Sequence, residues 1–192
     1  GCFHEIIPDR IEAATYIVLA AAAGEEVKIE NIIPHHLESL TSKLAELGVD
    51  MKIDIDSITI HGGLDNLHPI DIKTLPYPGF ATDIQQPLTA LLTQAQGQSI
   101  VTETIYTERF KHCFELEKMG AKINVMTPSS FINGPTPLSG AEVSATDLRC
   151  GACLVIAGLI ADGVTTIRNI YHIERGYEHI VEKLTAIGAQ IW

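Results

Sequence analysis

A chain of 192 residues that is 46% hydrophobic and 19% charged reads as globular and is long enough to bury a substantial core. Its formal net charge of −11 leaves no basic stripe to neutralise a phosphate backbone, which argues against a nucleic-acid binder. A phosphate-bearing small ligand remains admissible if local arginines meet it.

The chain divides into three blocks with one grammar. The first, from Pro8, predicts an apolar helix over about 9–23, the strand EVKIENI, a second helix over about 35–47 that stops at Gly48, and a hairpin over about 49–61. The second, from Thr82, repeats the order. A helix at about 83–95 is followed by the strand QSIVTETI, a helix at about 109–119 stopping at Gly120, and a hairpin at about 121–133. The third, from Thr146, gives a helix at about 147–161, the strand GVTTIRNI and a helix at about 175–187 before Gly188, and it stops at AQIW with its partner strand missing. The spacings from Asp9 to Gly48, Asp83 to Gly120 and Asp147 to Gly188 agree to within a few residues.

The first helix of each block is apolar nearly all round, which implies burial on every side, whereas the second carries a charged face. The strands alternate polar and apolar residues, so each sheet has one wet face. The expected fold class is therefore α/β: three βαβαββ-type repeats around buried helices with sheets outside, an inside-out α/β barrel. The repeats are expected at about 1–66, 67–137 and 138–192, forming a single domain in which the last repeat lacks its final strand.

Asp9, Asp83 and Asp147 stand where the buried helices begin and are expected as N-caps. Only Asp83 follows the turn-forming segment YPGF, which would shape a loop at the helix mouth. Arg109, Arg149 and Arg175 are predicted at or near helix starts, against the dipole preference. Such cations point either to an anionic ligand or to salt bridges with Glu108, Glu174 or Glu178. Gly176 suggests a turn bringing backbone close to a ligand. His35 and His36 open a helix without metal-ligand spacing, and His112 and His172 are expected to be structural, so no metal site is expected. Cys2, Cys113, Cys150 and Cys153 make no disulfide framework; the one CxxC lies in a helical pattern and reads as small buried thiols. GCFHEIIPDR lacks the apolar stretch of a signal peptide, and no apolar run reaches the roughly 20 residues of a membrane span, so the expected location is cytoplasmic, away from membranes.

PGFATDIQ (78–85), TETIYTERFKHCFELEKMGA (102–121), LSGAEVSATDLRCGACLVIAG (138–158) and IYHIERGYEHIVEKLTAIGA (170–189) together resemble the enolpyruvyl transferases of the UDP-N-acetylglucosamine 1-carboxyvinyltransferase type. The resemblance covers essentially the whole chain. It implies one domain of a two-domain enzyme, the one holding the C-terminus, with the missing strand accounted for by an N-terminal segment of the same polypeptide. The activity implied is transfer of the enolpyruvyl group of phosphoenolpyruvate to the 3-hydroxyl of UDP-N-acetylglucosamine, opening peptidoglycan synthesis, without a cofactor. It further implies that Asp83 contacts the sugar hydroxyl and transfers a proton. Ile105 and Tyr106 would border the nucleotide-sugar site, and Arg175 would bind the phosphoenolpyruvate anion with Arg109 and Arg149 in support. Asp147 would lie beside the reacting centre, ordering Arg149. A loop cysteine and a lysine that the family uses have no counterpart here. The rivals are a transferase acting on shikimate 3-phosphate, a non-catalytic repeat scaffold and a sugar-nucleotide sensor.

Overall fold

The computed structural model describes residues 1–192 and follows the expected order of elements closely in the middle of the chain. Helix α1 (Arg10–Ala23) is started by Asp9, whose carboxylate accepts the backbone N–H groups of Ile11 (2.7 Å) and Glu12 (3.2 Å). Strand β1 (Glu26–Glu30), helix α2 (Glu38–Leu47) and the hairpin β2 (Asp50–Ile53) and β3 (Ser57–His61) complete the first block. The second block is the fullest: β4 (Asp71–Lys73), α3 (Thr82–Leu92), β5 (Gly97–Thr102), α4 (Lys111–Lys118), β6 (Lys122–Met126) and β7 (Ser129–Gly134). The third has β8 (Glu142–Ser144), α5 (Leu148–Ile160), β9 (Thr166–Arg168), the single turn α6 (Tyr171–Glu174) and α7 (Ile180–Ala186).

In the middle block β4 and β5 pair in parallel across α3, with Ile72 opposite Val101, and the antiparallel hairpin completes the order β4-β5-β7-β6. The first block has the order β1-β3-β2 and no counterpart of β4, because residues 1–9 form no strand. The third has only the parallel pair β8-β9. Residues 187–192, where the sequence places the strand AQIW, form no strand, so neither strand of a hairpin is seen in this block. β1 and β9 each keep one unpaired edge. Those two edges, with the C-terminal ends of α1 and α5, line a groove of about 1160 Å³.

Helices α1, α3 and α5 pack against one another at the centre, and α3 and α5 make the most extensive contact. Ile17, Leu88, Leu91, Leu154 and Ile156 are inaccessible to solvent, so each central helix is enclosed on all sides, as its uniform apolarity requires. No helix is long and apolar enough to cross a membrane.

The expected helix over 175–187 starts only at Ile180, as α7, and the separate turn α6 ends before Arg175. Arg175 is the C-terminal cap of α6, not the start of a helix, and His179 adopts a left-handed conformation (φ 51°) before α7 begins. Gly176 in that link makes its close approach to Leu148 of α5: a Cβ there would lie 2.6 Å from a Leu148 methyl. The glycine thus seats the link on the central helices, and Tyr177 next to it points inward and is buried.

Candidate active site

The N-terminal ends of the central helices meet, and the chemistry of the chain gathers there. α5 begins as expected, with Asp147 as N-cap accepting the N–H groups of Arg149 (2.8 Å) and Cys150 (3.0 Å). α3 begins differently. Its N-cap is Ala81, without a side-chain cap, and Asp83 is the second helical residue. The expectation that Asp83 caps the helix is therefore wrong. Its carboxylate makes no bond to the backbone and is free to turn to other partners, while still gaining from the positive end of the helix dipole. Pro87 one turn later also removes the ordinary i+4 donor to the Asp83 carbonyl.

Both carboxylate oxygens of Asp83 are taken by arginines. Arg109 Nη1 donates to Oδ1 at 2.7 Å, and Arg149 Nη2 approaches Oδ2 at 3.3 Å. Burial pushes the Asp83 carboxyl up, but the hydrogen bond from Arg109 and the charge of Arg149 outweigh it and hold the group below the usual carboxylate range. Asp83 is thus an ionised acceptor, about a third exposed, facing an open depression.

Each arginine is fixed by a second partner. Arg109, from the turn before α4, also donates to the Thr82 hydroxyl (3.1 Å) and lies under the Tyr106 ring, 5.5 Å from its centroid. Arg149, in the first turn of α5, donates from Nη1 to the Tyr177 hydroxyl at 2.9 Å. That hydroxyl is 2.8 Å from Thr15 Oγ1 on α1, and Thr15 spends its own proton on the carbonyl of Ile11. The direction of the chain follows: Arg149 donates to Tyr177, Tyr177 to Thr15, and Thr15 to Ile11. All three blocks contribute to one network. Neither arginine pairs with Glu108, Glu174 or Glu178; both form their salt bridges with Asp83 instead.

The depression, about 690 Å³, is lined by Asp83, Ile105, Tyr106, Thr107, Glu108, Arg109 and Asp147. The structure therefore brings together six of the seven candidate residues: five line the depression and Arg149 reaches Asp83 from behind. Arg175 is the exception. It is exposed, its side chain makes no hydrogen bond or ion pair, and it does not line the depression. Asp147 orders Arg149 only through its backbone N–H, not its guanidinium. His112 is fully buried beside the site and stays neutral, its pKa brought down to about 3 by burial. Cys113, Cys150 and Cys153 are buried thiols, with Cys113 pushed up to about 12 by burial.

Sequence reasoning missed Glu103, Tyr177 and Thr15. Glu103 left a signal: in QSIVTETI it falls in phase with Ser99 and Val101, the inward-facing positions, and it is fully buried. Tyr177 left none, because it turns inward only where the expected helix has not yet begun.

The sequence model of the family described as EPSP synthase (3-phosphoshikimate 1-carboxyvinyltransferase) matches residues 1–184. The chain is 60% identical over 191 residues to UDP-N-acetylglucosamine 1-carboxyvinyltransferase 2 of Listeria monocytogenes and 58% identical over 192 residues to the Bacillus subtilis protein of the same name. Each comparison takes in all of the chain and 45% of the relative, so the chain spans a little under half the length of the curated relatives it matches. Among solved structures, the enolpyruvyl transferase NikO of Streptomyces tendae superposes with a TM-score of 0.89 at 33% identity, over 96% of this chain and 44% of that one. An EPSP synthase of Acinetobacter baumannii superposes with a TM-score of 0.67 at 18% identity over 85% of this chain and 39% of that one, a likeness of fold alone.

Proposed function

Because the chain belongs to the EPSP synthase (3-phosphoshikimate 1-carboxyvinyltransferase) family, we propose that it forms one domain of an enolpyruvyl transferase. The reaction is transfer of the enolpyruvyl group of phosphoenolpyruvate to the 3-hydroxyl of UDP-N-acetylglucosamine with release of phosphate. High identity across the whole chain to relatives named for that acceptor favours it over shikimate 3-phosphate. The observation that carries the reading is the Asp83 carboxylate, exposed to the depression and gripped by two arginines.

In this reading Asp83 accepts the proton of the sugar hydroxyl as its oxygen adds to C2 of phosphoenolpyruvate, and C3 takes up a proton. Loss of a proton from C3 with expulsion of phosphate then restores the double bond. A carboxylate held below the usual range is a weak base. Arg109 and Arg149 can also serve the incoming anion, and sharing them with it would loosen their grip on Asp83 and raise its basicity where the proton must move. Arg175, exposed and unpaired, is available to the same anion. Ile105 and Tyr106 border the sugar-nucleotide site.

The division into three repeats, at about 1–66, 67–137 and 138–192, is part of the proposal. So is the second domain of the same polypeptide, which would close the open depression, and so is an N-terminal segment that would pair with the free edges of β1 and β9. The location follows as cytoplasmic and the role as peptidoglycan synthesis, with the cell growth and division that depend on it.

The test is phosphate release by the full-length protein offered phosphoenolpyruvate with each acceptor. Turnover with UDP-N-acetylglucosamine, none with shikimate 3-phosphate, and none by residues 1–192 alone is expected. Arg175→Ala should raise KM for phosphoenolpyruvate with the fold intact. A full-length protein that turns over neither acceptor, or an isolated chain that releases phosphate, contradicts the reading.

A further inference from the structure

Glu103 is fully buried and has no cation beside it, an arrangement that is costly unless every acceptor position is satisfied. Four donors converge on it. Oε1 accepts the Thr74 hydroxyl (2.6 Å) and the backbone N–H groups of Ile105 (2.9 Å) and Tyr106 (3.1 Å), and Oε2 accepts the Thr82 hydroxyl (2.8 Å). Thr74 follows β4 and in turn accepts the N–H of Thr104 at 2.8 Å. One carboxylate therefore ties together the end of β4, the start of α3, and the turn that carries Ile105, Tyr106 and Arg109.

The polarity of the Thr82 hydroxyl follows. A carboxylate has no proton to give, so the single proton of Thr82 must point at Glu103 Oε2. The lone pairs of Thr82 are then left facing Arg109 Nη1, which donates to them at 3.1 Å while also donating to Asp83. The side chains form a directed relay from Arg109 to Thr82 to Glu103.

We propose that Glu103 is a positioning residue of the active site, acting through the Thr82 hydroxyl to fix the Arg109 guanidinium against Asp83 and through two backbone N–H groups to shape the turn that borders the acceptor. Glu103 touches neither substrate nor Asp83. The inference rests on the enolpyruvyl-transfer reading for its effect on turnover, but not for its effect on the ionisation of Asp83.

Glu103→Gln keeps the shape and reverses the relay. Its amide oxygen satisfies the three donors at Oε1, leaving the NH₂ to donate to Thr82. The Thr82 proton must then turn towards Arg109, and the guanidinium is displaced. Thr82→Val removes the relay outright, and Thr82→Ser retains it. In the full-length protein, Glu103→Gln and Thr82→Val should move the acid limb of the kcat/KM profile to higher pH by about half a unit or more, because Asp83 loses part of its hold on a cation. Both should lower kcat/KM about tenfold per titrated active site, and Thr82→Ser should return the limb to its wild-type position.

A purely structural Glu103 would lower the folded yield or the melting temperature while leaving the acid limb and KM unchanged per active site, and that result overturns the proposal. If Glu103→Gln fails to fold, Thr82→Val decides alone. Should the wild type turn over neither acceptor, the functional reading fails separately. A carbon-13 titration of the Asp83 carboxyl then decides the positioning role: an upward shift in Thr82→Val supports it, and an unmoved titration rejects it.

Discussion

Tyr177→Phe deletes one oxygen at the point where the three blocks are tied together. Tyr177 is 1% exposed, and its hydroxyl accepts from Arg149 at 2.9 Å and donates to Thr15 at 2.8 Å. A hydrogen bond to a charged group contributes about 1.5–3 kcal/mol and a neutral one about 1 kcal/mol. The ring stays in place, so no cavity is made. Arg149 retains some access to water, with a side chain 14% exposed, which recovers part of the loss. The expected cost is about 2 kcal/mol, equivalent to a fall of roughly 4–8 °C in melting temperature for a chain of this length. Thermal unfolding of wild type and variant measures it directly. Thr15→Val should add little on the Tyr177→Phe background, because its partner has already gone, while costing about 1 kcal/mol alone. A Tyr177→Phe variant that melts within about 1 °C of wild type, or a double mutant whose losses simply add, refutes the directed network.

Three further outcomes follow from particular sites. Gly62→Ala should destabilise by about 1–3 kcal/mol in chemical denaturation, because a Cβ there overlaps the carbonyl oxygens of Gly24 and Ala20 at the end of α1. His112 has a pKa brought down to about 3 by burial, so between its ordinary 6.5 and about 3 the unfolded state binds a proton that the folded state does not. Stability should therefore fall with decreasing pH in that window by up to about 1.4 kcal/mol per unit, and His112→Gln should flatten the slope seen in unfolding titrations. Of the four thiols only Cys2 is exposed, while Cys113, Cys150 and Cys153 are buried with raised pKa values. Mass spectrometry after alkylation of the folded protein should show a single adduct; two or more would show that the central helices open.

The repeat and the buried helices were legible in the sequence because both are local patterns. Uniform apolarity over 9–23, 83–95 and 147–161 can be satisfied only by enclosure, and Gly48, Gly120 and Gly188 end the outer helices in left-handed conformations (φ 97°, 99° and 103°). What was illegible depended on a two-residue offset and on long-range approach. Asp83 stands in step with Asp9 and Asp147, yet α3 starts two residues earlier than the repeat implies, and that shift turns a cap into a carboxylate released from the backbone. Arg175 was expected at a helix start because IERGYEHIVEKL has helical periodicity. Seating Gly176 on Leu148 and Tyr177 on Arg149 outweighs that local preference and delays the helix to Ile180. The partners of Arg149 lie 66 and 28 residues away in Asp83 and Tyr177, a pairing that no local pattern encodes.

The central claim is that Asp83, held ionised between Arg109 and Arg149, takes part in proton transfer. Asp83→Asn in the full-length protein tests it most directly, since the amide keeps the shape and loses the charge and the basicity. With UDP-N-acetylglucosamine and phosphoenolpyruvate, kcat should fall by about 10²–10⁴-fold while calorimetric binding of the nucleotide sugar stays within a few-fold of wild type. A variant that retains kcat within about threefold of wild type contradicts the account and leaves Asp83 only a tether for two arginines.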